Sequence, residues 1–317
     1  MPRFANDFEI TLATSASQSA SNFGIVTSIQ FPVYPDRSLV EVAVLSYPWS
    51  KLRPVLQALT NFNTNGASDP YATASASASW RLNDAEPLLI VSLFHLKSLD
   101  NTKMLRNFID LDPTNVLYDR MTQFEFSRLV DEGNPPGFCQ HKSTSTSYND
   151  DSFASDIVDH FMRETQHISL GPHDDTAFQG AVLIQPLTVR HLQAPASPLR
   201  AKSTANGWPD FETGNILGLE NEKSPLLLYS FELRHTYHHD HNHCQALQRL
   251  NHDTIERFAG RELAHPFRYI NHASSEQDVF AAFKRDEKAW QWLQEVKEEY
   301  IEDWWSECLG GGGPFRL

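Results

Sequence analysis

The sequence has few cysteines and no long apolar run. No stretch of its 317 residues approaches the ~20 apolar residues that a membrane helix needs. The first ten residues contain two acids and no continuous apolar core, so we predict no signal peptide and take the cytoplasm as the default compartment. The three cysteines, Cys139, Cys244 and Cys308, are far apart and odd in number, which predicts unpaired thiols rather than a disulfide framework.

Basic residues are also scarce. The chain has 26 Lys and Arg against 40 Asp and Glu, a formal net charge of −14, which argues against nucleic acid or an anionic membrane as a partner. Gly-X-Ser-X-Gly, His-Glu-X-X-His and Walker sequences are absent, so nothing supports a hydrolase or a nucleotidase. The 40% hydrophobic fraction indicates a soluble globular protein of one large or two small domains.

The apolar residues that are present alternate in some segments and recur at helical spacing in others. Strands are predicted at residues 25–31, 39–47, 88–95, 181–187, 226–233 and 269–273, and residues 72–80 form a small, alternating segment. Helices are predicted at residues 49–61, 102–108, 151–164, 245–258 and 287–300, with a further segment at 122–129 and a long loop at 194–215. This order predicts an α+β fold, in which an antiparallel sheet carries helices on one face and leaves the other face free.

Several motifs in this order resemble one family. They are Asn22-Phe23-Gly24 before the first strand, Asn134-Pro135-Pro136-Gly137, Ile184-Gln185-Pro186-Leu187, Gly214-Asn215-Ile216-Leu217-Gly218-Leu219 and His265-Pro266-Phe267-Arg268-Tyr269-Ile270-Asn271-His272-Ala273. Together they are similar to the berberine-bridge-enzyme-like group of FAD-linked oxidoreductases, especially its fungal members. The resemblance implies the substrate domain of such an enzyme, with most of the N-terminal flavin domain missing.

The resemblance also implies a division of the chain and a cofactor. Residues 1–35 would be a remnant of the FAD-binding domain, residues 36–264 the substrate-binding domain, and residues 265–317 the C-terminal segment of the family. The cofactor would be FAD. Asn22, Phe23 and Gly24 would lie along the FAD chain, and Tyr269 and Asn271 would face its ring and ribityl region.

Three residues are candidates for moving the substrate proton. By resemblance Tyr269 and His272 would lie near the flavin, where a phenol or an imidazole can exchange a proton. Glu232 is the third candidate, because the alternation of its strand places it with Ser230 and Arg234 on one face. That carboxylate is either a general base or simply the ion-pair partner of Arg234.

Other conspicuous residues have plainer interpretations. Four histidines lie close together with Asp240 and Cys244, yet their spacing is not that of two separated ligand pairs, so we predict a solvated loop and no specific metal site. The histidines are His238, His239, His241 and His243. Trp290, Trp292, Trp304 and Trp305 are interpreted as packing or amphipathic surface residues, and the glycines at 310–313 as a flexible tail.

The sequence therefore favours an FAD-dependent oxidoreductase-like protein that oxidises a small alcohol or a secondary-metabolite intermediate. One alternative is a flavin-free isomerase, cyclase or ligand-binding pseudoenzyme that keeps the substrate pocket. A further alternative is an incomplete gene product whose open sheet face associates with itself or with a partner chain.

Overall fold

A computed structural model describes most of the middle of the chain. The described residues are 39–65, 68–99, 103–132, 136–167, 178–192, 219, 222–235, 247, 249–250, 253–258, 260–274, 276–285, 287, 290–291, 294–295 and 298. The predicted strand at residues 25–31 and the predicted loop at 194–215 lie outside this set. Within it, no helix is long and apolar enough to cross a membrane.

The described residues contain one antiparallel sheet of eight strands. The strands are β1 (Val40–Tyr47), β2 (Ala72–Arg81), β3 (Leu88–His95), β4 (Asn115–Met121), β5 (Cys139–Tyr148), β6 (Gln179–Leu187), β7 (Leu226–His235) and β8 (Ala264–His265). Their order across the sheet is β4-β1-β3-β2-β6-β7-β5-β8, and every neighbouring pair is antiparallel. The predicted α+β class with an antiparallel sheet is confirmed.

Two long helices pack against one another over the sheet. The α-helices whose full extent is described are α1 (Leu52–Asn65), α2 (Lys103–Ile109), α3 (Gln123–Glu132), α4 (Asp151–His167) and α5 (Val189–Leu192), and short 3-10 helices cover Trp49–Lys51, Ile270–His272 and Phe283–Arg285. Helices α1 and α4 bury apolar residues spaced three and four apart, including Val55, Leu59, Ile157 and Phe161. This spacing places them on one side of each helix, which faces the sheet.

The strand residues beneath these helices complete a single core. They come from alternate positions of the strands, such as Leu45, Val91, Ala76 and Tyr229, and all are buried. Alternation of side chains along a strand then puts the intervening residues on the opposite face. The sequence thus places one face of the sheet under helices and determines which residues lie on the other.

One edge of the sheet is sparsely packed. All seven residues of β4 are exposed or half-buried, and α3 has no buried residue. Leu117, Tyr118 and Phe124 are 54%, 54% and 75% exposed. The segment is attached through the pairing of β4 with β1 and through the edge-to-face contact of Phe126 with Phe94, whose ring centroids are 4.7 Å apart.

One prediction about local structure needs correction, and two strands were not predicted. Residues 269–273 form no strand, because Ile270–His272 is a 3-10 turn in which the His272 N–H donates to the Tyr269 carbonyl at 3.0 Å. Tyr269 and Ile270 are residue types that favour strands. Here local hydrogen bonds satisfy the backbone instead, so the surrounding structure overrides their β propensity. The sequence also gave no hint of β4 or β5. Before β5, Gly137 has φ 98°, a left-handed turn conformation that glycine accepts without strain.

By its internal contacts the chain divides into two units. One comprises residues 1–35, 190–223 and 266–317, and the other residues 36–189 and 224–265. The eight-stranded sheet and helices α1 to α4 belong to the second unit. The turn containing Tyr269 belongs to the first.

Candidate functional site

The sheet face opposite helices α1 and α4 is rich in small hydroxyl and charged side chains. We call its central part the polar face. It consists of Ser75, Ser77 and Ser79 of β2, Ala181, Leu183 and Gln185 of β6, Ser230, Glu232 and Arg234 of β7, and Lys142, Thr144 and Thr146 of β5. The cross-strand register aligns these residues in rows, such as Lys142, Glu232, Ala181 and Ser79. Side chains of this composition can form hydrogen bonds with a small molecule.

Glu232 is paired with two cations on this face. Its Oε1 accepts hydrogen bonds from Arg234 Nε at 3.0 Å and Arg234 Nη2 at 2.8 Å. Its Oε2 lies 3.9 Å from Lys142 Nζ. The Arg234 guanidinium also lies 5.5 Å from the centroid of the Phe138 ring. The predicted ion pair with Arg234 is therefore present, and Oε2 is the carboxylate oxygen less occupied by Arg234.

Tyr269, Asn271 and His272 form a compact group in the other unit. Asn271 Nδ2 donates a hydrogen bond to the Tyr269 hydroxyl at 2.8 Å. The rings of Tyr269 and His272 meet edge to face, with centroids 5.0 Å apart at 87°. Residues three apart lie on the same side of a 3-10 turn, which places His272 beside Tyr269, and the Asn271 amide reaches the Tyr269 hydroxyl from the next position. The phenol oxygen accepts from Asn271, which leaves its hydrogen to be donated elsewhere.

Several predicted positions lie outside the described residues. These are Asn22, Phe23 and Gly24, residues 214–218 of the Gly-Asn-Ile-Leu-Gly-Leu motif, the histidines of residues 238–243, Cys244, Cys308, Trp292, Trp304, Trp305 and the glycines of residues 310–313. Cys139 is described and is a free thiol, as predicted. Trp290 is described beside Phe280, with ring centroids 6.3 Å apart.

Sequence reasoning missed a row of buried hydroxyl residues in β5. The five consecutive residues Ser143–Ser147 are all buried. Thr144 Oγ1 donates to the Tyr229 carbonyl at 2.8 Å, and Ser147 Oγ lies 2.9 Å from the Tyr229 hydroxyl. Burial raises the pKa of that Tyr229 phenol. Alternating serine and threonine carry no hydrophobic period, so no sequence signal distinguished this strand from a loop.

Sequence reasoning also missed a histidine pair at the end of β5 and β7. His141 Nε2 and His235 Nε2 are 3.2 Å apart, and the rings are nearly parallel at 6° with centroids 5.4 Å apart. Imidazole nitrogens lie about 1.1 Å from the ring centroid, so these distances describe rings meeting nitrogen to nitrogen rather than face to face. One ring therefore donates its Nε2–H to the other. Among the described residues, no group of three or more His, Cys, Asp or Glu side chains could hold a metal ion.

Comparison with known proteins agrees with this fold. An FAD-dependent monooxygenase of Cochliobolus heterostrophus is 22% identical over 282 residues, which make up 84% of this chain and 50% of that protein. An FAD-dependent monooxygenase of Fusarium proliferatum is 27% identical over 184 residues, 56% of this chain and 32% of that protein. No family model matches the chain.

Solved structures show the same architecture. Xylooligosaccharide oxidase from Myceliophthora thermophila superposes with a TM-score of 0.61 at 14% identity, covering 92% of this chain and 58% of that one. 6-Hydroxy-D-nicotine oxidase from Arthrobacter nicotinovorans gives 0.59 at 16%, covering 93% and 59%. A berberine-bridge-enzyme-like protein of Physcomitrella patens gives 0.57 at 13%, covering 89% and 55%.

The resemblance to berberine-bridge-enzyme-like FAD-linked oxidoreductases is confirmed. The two monooxygenases named above both come from fungi. The chain spans about half the length of the first of these relatives, and between a half and three fifths of the solved structures.

Proposed function

We propose that this chain supplies the substrate-binding part of an FAD-dependent oxidoreductase that oxidises a small alcohol or a secondary-metabolite intermediate. The observation that carries this proposal is the polar face, which presents a carboxylate, two cations and a set of hydroxyl groups on a sheet otherwise built as a packed scaffold. The similarity to fungal FAD-dependent monooxygenases over 84% of the chain supports the same reaction class. In this proposal residues 36–264 bind the substrate, and residues 265–317 contribute to the cofactor side.

The group formed by Tyr269, Asn271 and His272 fits a flavin in its chemistry. A phenol oriented by an amide, with an imidazole against its ring, offers neutral donors and acceptors suited to a flavin ring and ribityl hydroxyls. Asn22, Phe23 and Gly24 would hold the extended part of the cofactor. Bound FAD would supply hydride acceptance from the substrate carbon.

The chain's own residues would position the substrate and move its proton. One of three alternative groups would take the substrate proton: the ionised oxygen of Tyr269, the neutral imidazole of His272 or the carboxylate of Glu232. If Tyr269 is that group, the amide of Asn271 would orient its oxygen. If Glu232 is that group, it would act through Oε2, while Arg234 holds the carboxylate in one orientation through the two hydrogen bonds to Oε1.

The first test is the visible absorption spectrum of the purified protein, before and after addition of FAD and removal of the excess. We expect retained flavin absorbance. Tyr269→Phe and Asn271→Ala should each reduce the retained flavin, and Tyr269→Phe should abolish oxidation of any substrate found. Tyr71→Phe is the matched control, because Tyr71 is 40% exposed and lies under Lys97 in the sheet unit.

A colourless protein that stays folded would instead support the second candidate, a flavin-free isomerase, cyclase or ligand-binding protein. That candidate is favoured by the fact that all twelve residues of the polar face belong to the sheet unit. Substrate turnover unchanged by Tyr269→Phe would contradict the catalytic role of the phenol.

A further inference from the structure

The outer side of strand β4 has no neighbouring strand among the described residues. β4 ends the strand order and pairs with β1 through seven consecutive residue pairs without a bulge. Alternate residues of such an edge strand direct their N–H and C=O groups outward, which offers a template for another strand. Natural proteins discourage such pairing with Lys, Pro or a bulge, yet Asn115–Tyr118 carry no charge and no proline. The edge is therefore regular and can accept a further strand.

The same edge exposes apolar side chains. Six large apolar residues of β4 and α3 are between 41% and 75% exposed, namely Val116, Leu117, Tyr118, Phe124, Leu129 and Val130. At typical side-chain areas their exposed surface is about 500 Å² per copy. That area lies near the upper end of the apolar patches found on monomers, and it is more than half of the ~800 Å² that each partner buries in a standard interface. The edge therefore has enough apolar area for a protein partner.

The sequence of β4 is complementary to itself in one antiparallel register. Two copies of an edge strand pair antiparallel about a two-fold axis perpendicular to the sheet, which keeps each face on its own side and passes through a residue. An axis at Leu117 places Leu117 against itself, Val116 against Tyr118 twice, and Asn115 against Asp119 twice. Apolar residues then meet apolar residues, and each carboxylate meets an amide that can donate a hydrogen bond to it.

The neighbouring registers match less well. An axis at Tyr118 would place Leu117 against Asp119 and Val116 against Arg120, which sets apolar groups against charges. An axis at Asp119 would bring two carboxylates directly opposite each other, which is destabilising. The chemistry of β4 therefore favours a second copy of the same strand, held in the register centred on Leu117.

We propose that this chain forms a homodimer, in which β4 pairs antiparallel with β4 of a second copy about a two-fold axis at Leu117. The pairing joins two eight-stranded sheets edge to edge and covers the apolar residues of β4. It does not depend on the proposed function, because the polar face consists of residues from β2, β5, β6 and β7, and β1 and β3 lie between those strands and β4.

The first experiment measures the mass of the full chain in solution by sedimentation equilibrium over a range of concentrations. We expect a dimer, with twice the 36.0 kDa mass of one chain. Leu117→Lys should give a monomer, because two ammonium groups would lie opposite each other at the axis. Leu88→Lys is the matched control and should stay dimeric, since Leu88 is 44% exposed on β3 and β1 separates that strand from β4.

A charge exchange tests the register with exposed residues that the fold does not need. Asn115→Asp sets carboxylates opposite each other in both symmetry-related pairs, so it should weaken the dimer about 3- to 30-fold. Adding Asp119→Asn to the same chain restores one amide and one carboxylate in each pair. The double variant should therefore dimerise within about 3-fold of the wild type, which a contact elsewhere on the surface would not produce.

A cross-linking experiment locates the axis. Residues directly opposite in an antiparallel pair have Cα atoms about 4.5–5.5 Å apart, which a disulfide can span. Leu117→Cys should therefore give a disulfide-linked dimer on mild oxidation. Val116→Cys should not, because the two copies of that position lie diagonally, about 7–8 Å apart. The wild type under the same oxidant shows the background from the three native cysteines.

Three outcomes would overturn the inference. A wild-type chain that stays monomeric at every concentration would leave the β4 edge to a strand of another protein. A dimer that survives Leu117→Lys would place the interface on another surface. A dimer that Asn115→Asp weakens and Asp119→Asn does not restore, or that cross-links at position 116 and not at 117, would reject the register centred on Leu117.

Discussion

The two faces of one sheet differ in what their side chains contact. Beneath helices α1 and α4, the strand residues are apolar and closely packed, as where the Phe161 ring lies 5.0 Å from that of Phe231. On the polar face, the same strands present serine, threonine, glutamine and a Glu232–Arg234 ion pair. Because both faces share a backbone, a single register determines both.

The two faces have different roles, because one mainly stabilises the fold and the other carries the polar groups proposed to contact the substrate. The helix-covered face supplies the hydrophobic burial that stabilises the fold, so its residues have little freedom to change. The polar face carries mostly hydroxyl, amide and charged side chains, so it adds less hydrophobic burial, although Thr144, Thr146 and Ser230 are themselves buried. This comparison makes four predictions, from the largest expected effect to the smallest.

Phe161→Ala should cost most, because it leaves a cavity between α4 and the sheet. The Phe161 side chain is fully buried, and we expect a loss of about 3–5 kcal/mol in the free energy of unfolding, measured by urea denaturation. Phe124→Ala is the control, since Phe124 is 75% exposed and its removal should change stability by less than about 0.5 kcal/mol. Similar losses for both variants would refute the assignment of the core.

Gly180→Ala should destabilise the helix-covered face by crowding. A Cβ at Gly180 would meet Cγ2 of Thr165, a buried α4 residue whose Oγ1 donates to the Phe161 carbonyl at 2.7 Å. We expect a cost of about 1–3 kcal/mol. Thr165→Ser removes the obstructing methyl and keeps the hydroxyl, so the double variant should be more stable than the two single losses predict. Additive losses would show that the contact does not limit packing.

Glu41→Gln should change how stability depends on pH. Burial raises the pKa of the Glu41 carboxyl, but hydrogen bonds from the Leu99 N–H, Tyr118 and Ser98, together with the charge of Arg120, outweigh it and hold the pKa below its usual range. A lowered pKa stabilises the folded state above the unfolded value of about 4.3, and that stability is lost as the pH falls through the folded value.

The wild type should therefore exceed Glu41→Gln by about 1–2 kcal/mol at pH 7, with the difference shrinking below about pH 4. Urea denaturation across that pH range provides the measurement. Glu262→Gln, at an exposed position of the same unit, should track the wild type throughout. A constant difference at every pH would contradict a role for the Glu41 charge.

Ser77→Ala should have the smallest effect, because Ser77 is half-buried and lies on the sheet face opposite α1 and α4. We expect the unfolding free energy to change by less than about 0.5 kcal/mol. Calorimetric or urea unfolding checks this value. A loss above about 1 kcal/mol would mean that the polar face belongs to the core after all.

Much of this fold could be predicted from the sequence, where periodicity carries the signal. The helix at α4 follows from the spacing of Phe153, Ile157 and Phe161, and the two faces of β7 follow from its alternation. By contrast, β5 is serine and threonine at five consecutive buried positions, so its pattern has no apolar period. Its burial depends on the layers around it, which no local window of sequence contains.

The candidate site was predictable only where chain neighbours form it. Tyr269, Asn271 and His272 are close in sequence, and one turn brings them together, although the predicted strand there was wrong. The meeting of His141 with His235 depends on the pairing of β5 with β7, because the two histidines are 94 residues apart in the chain. Register between distant strands is a tertiary property, so residue type alone could not reveal this feature.

The sparsely packed edge at β4 and α3 also bears on how the molecule opens. Few buried contacts hold this segment, whereas β6 and β7 lie in the middle of the sheet. Its backbone amides should therefore exchange with deuterium well before those of the central strands, through local opening that leaves the rest folded. Within the described sheet of a single copy, this edge should therefore open first, and proteolysis of the sheet should begin there rather than in its core.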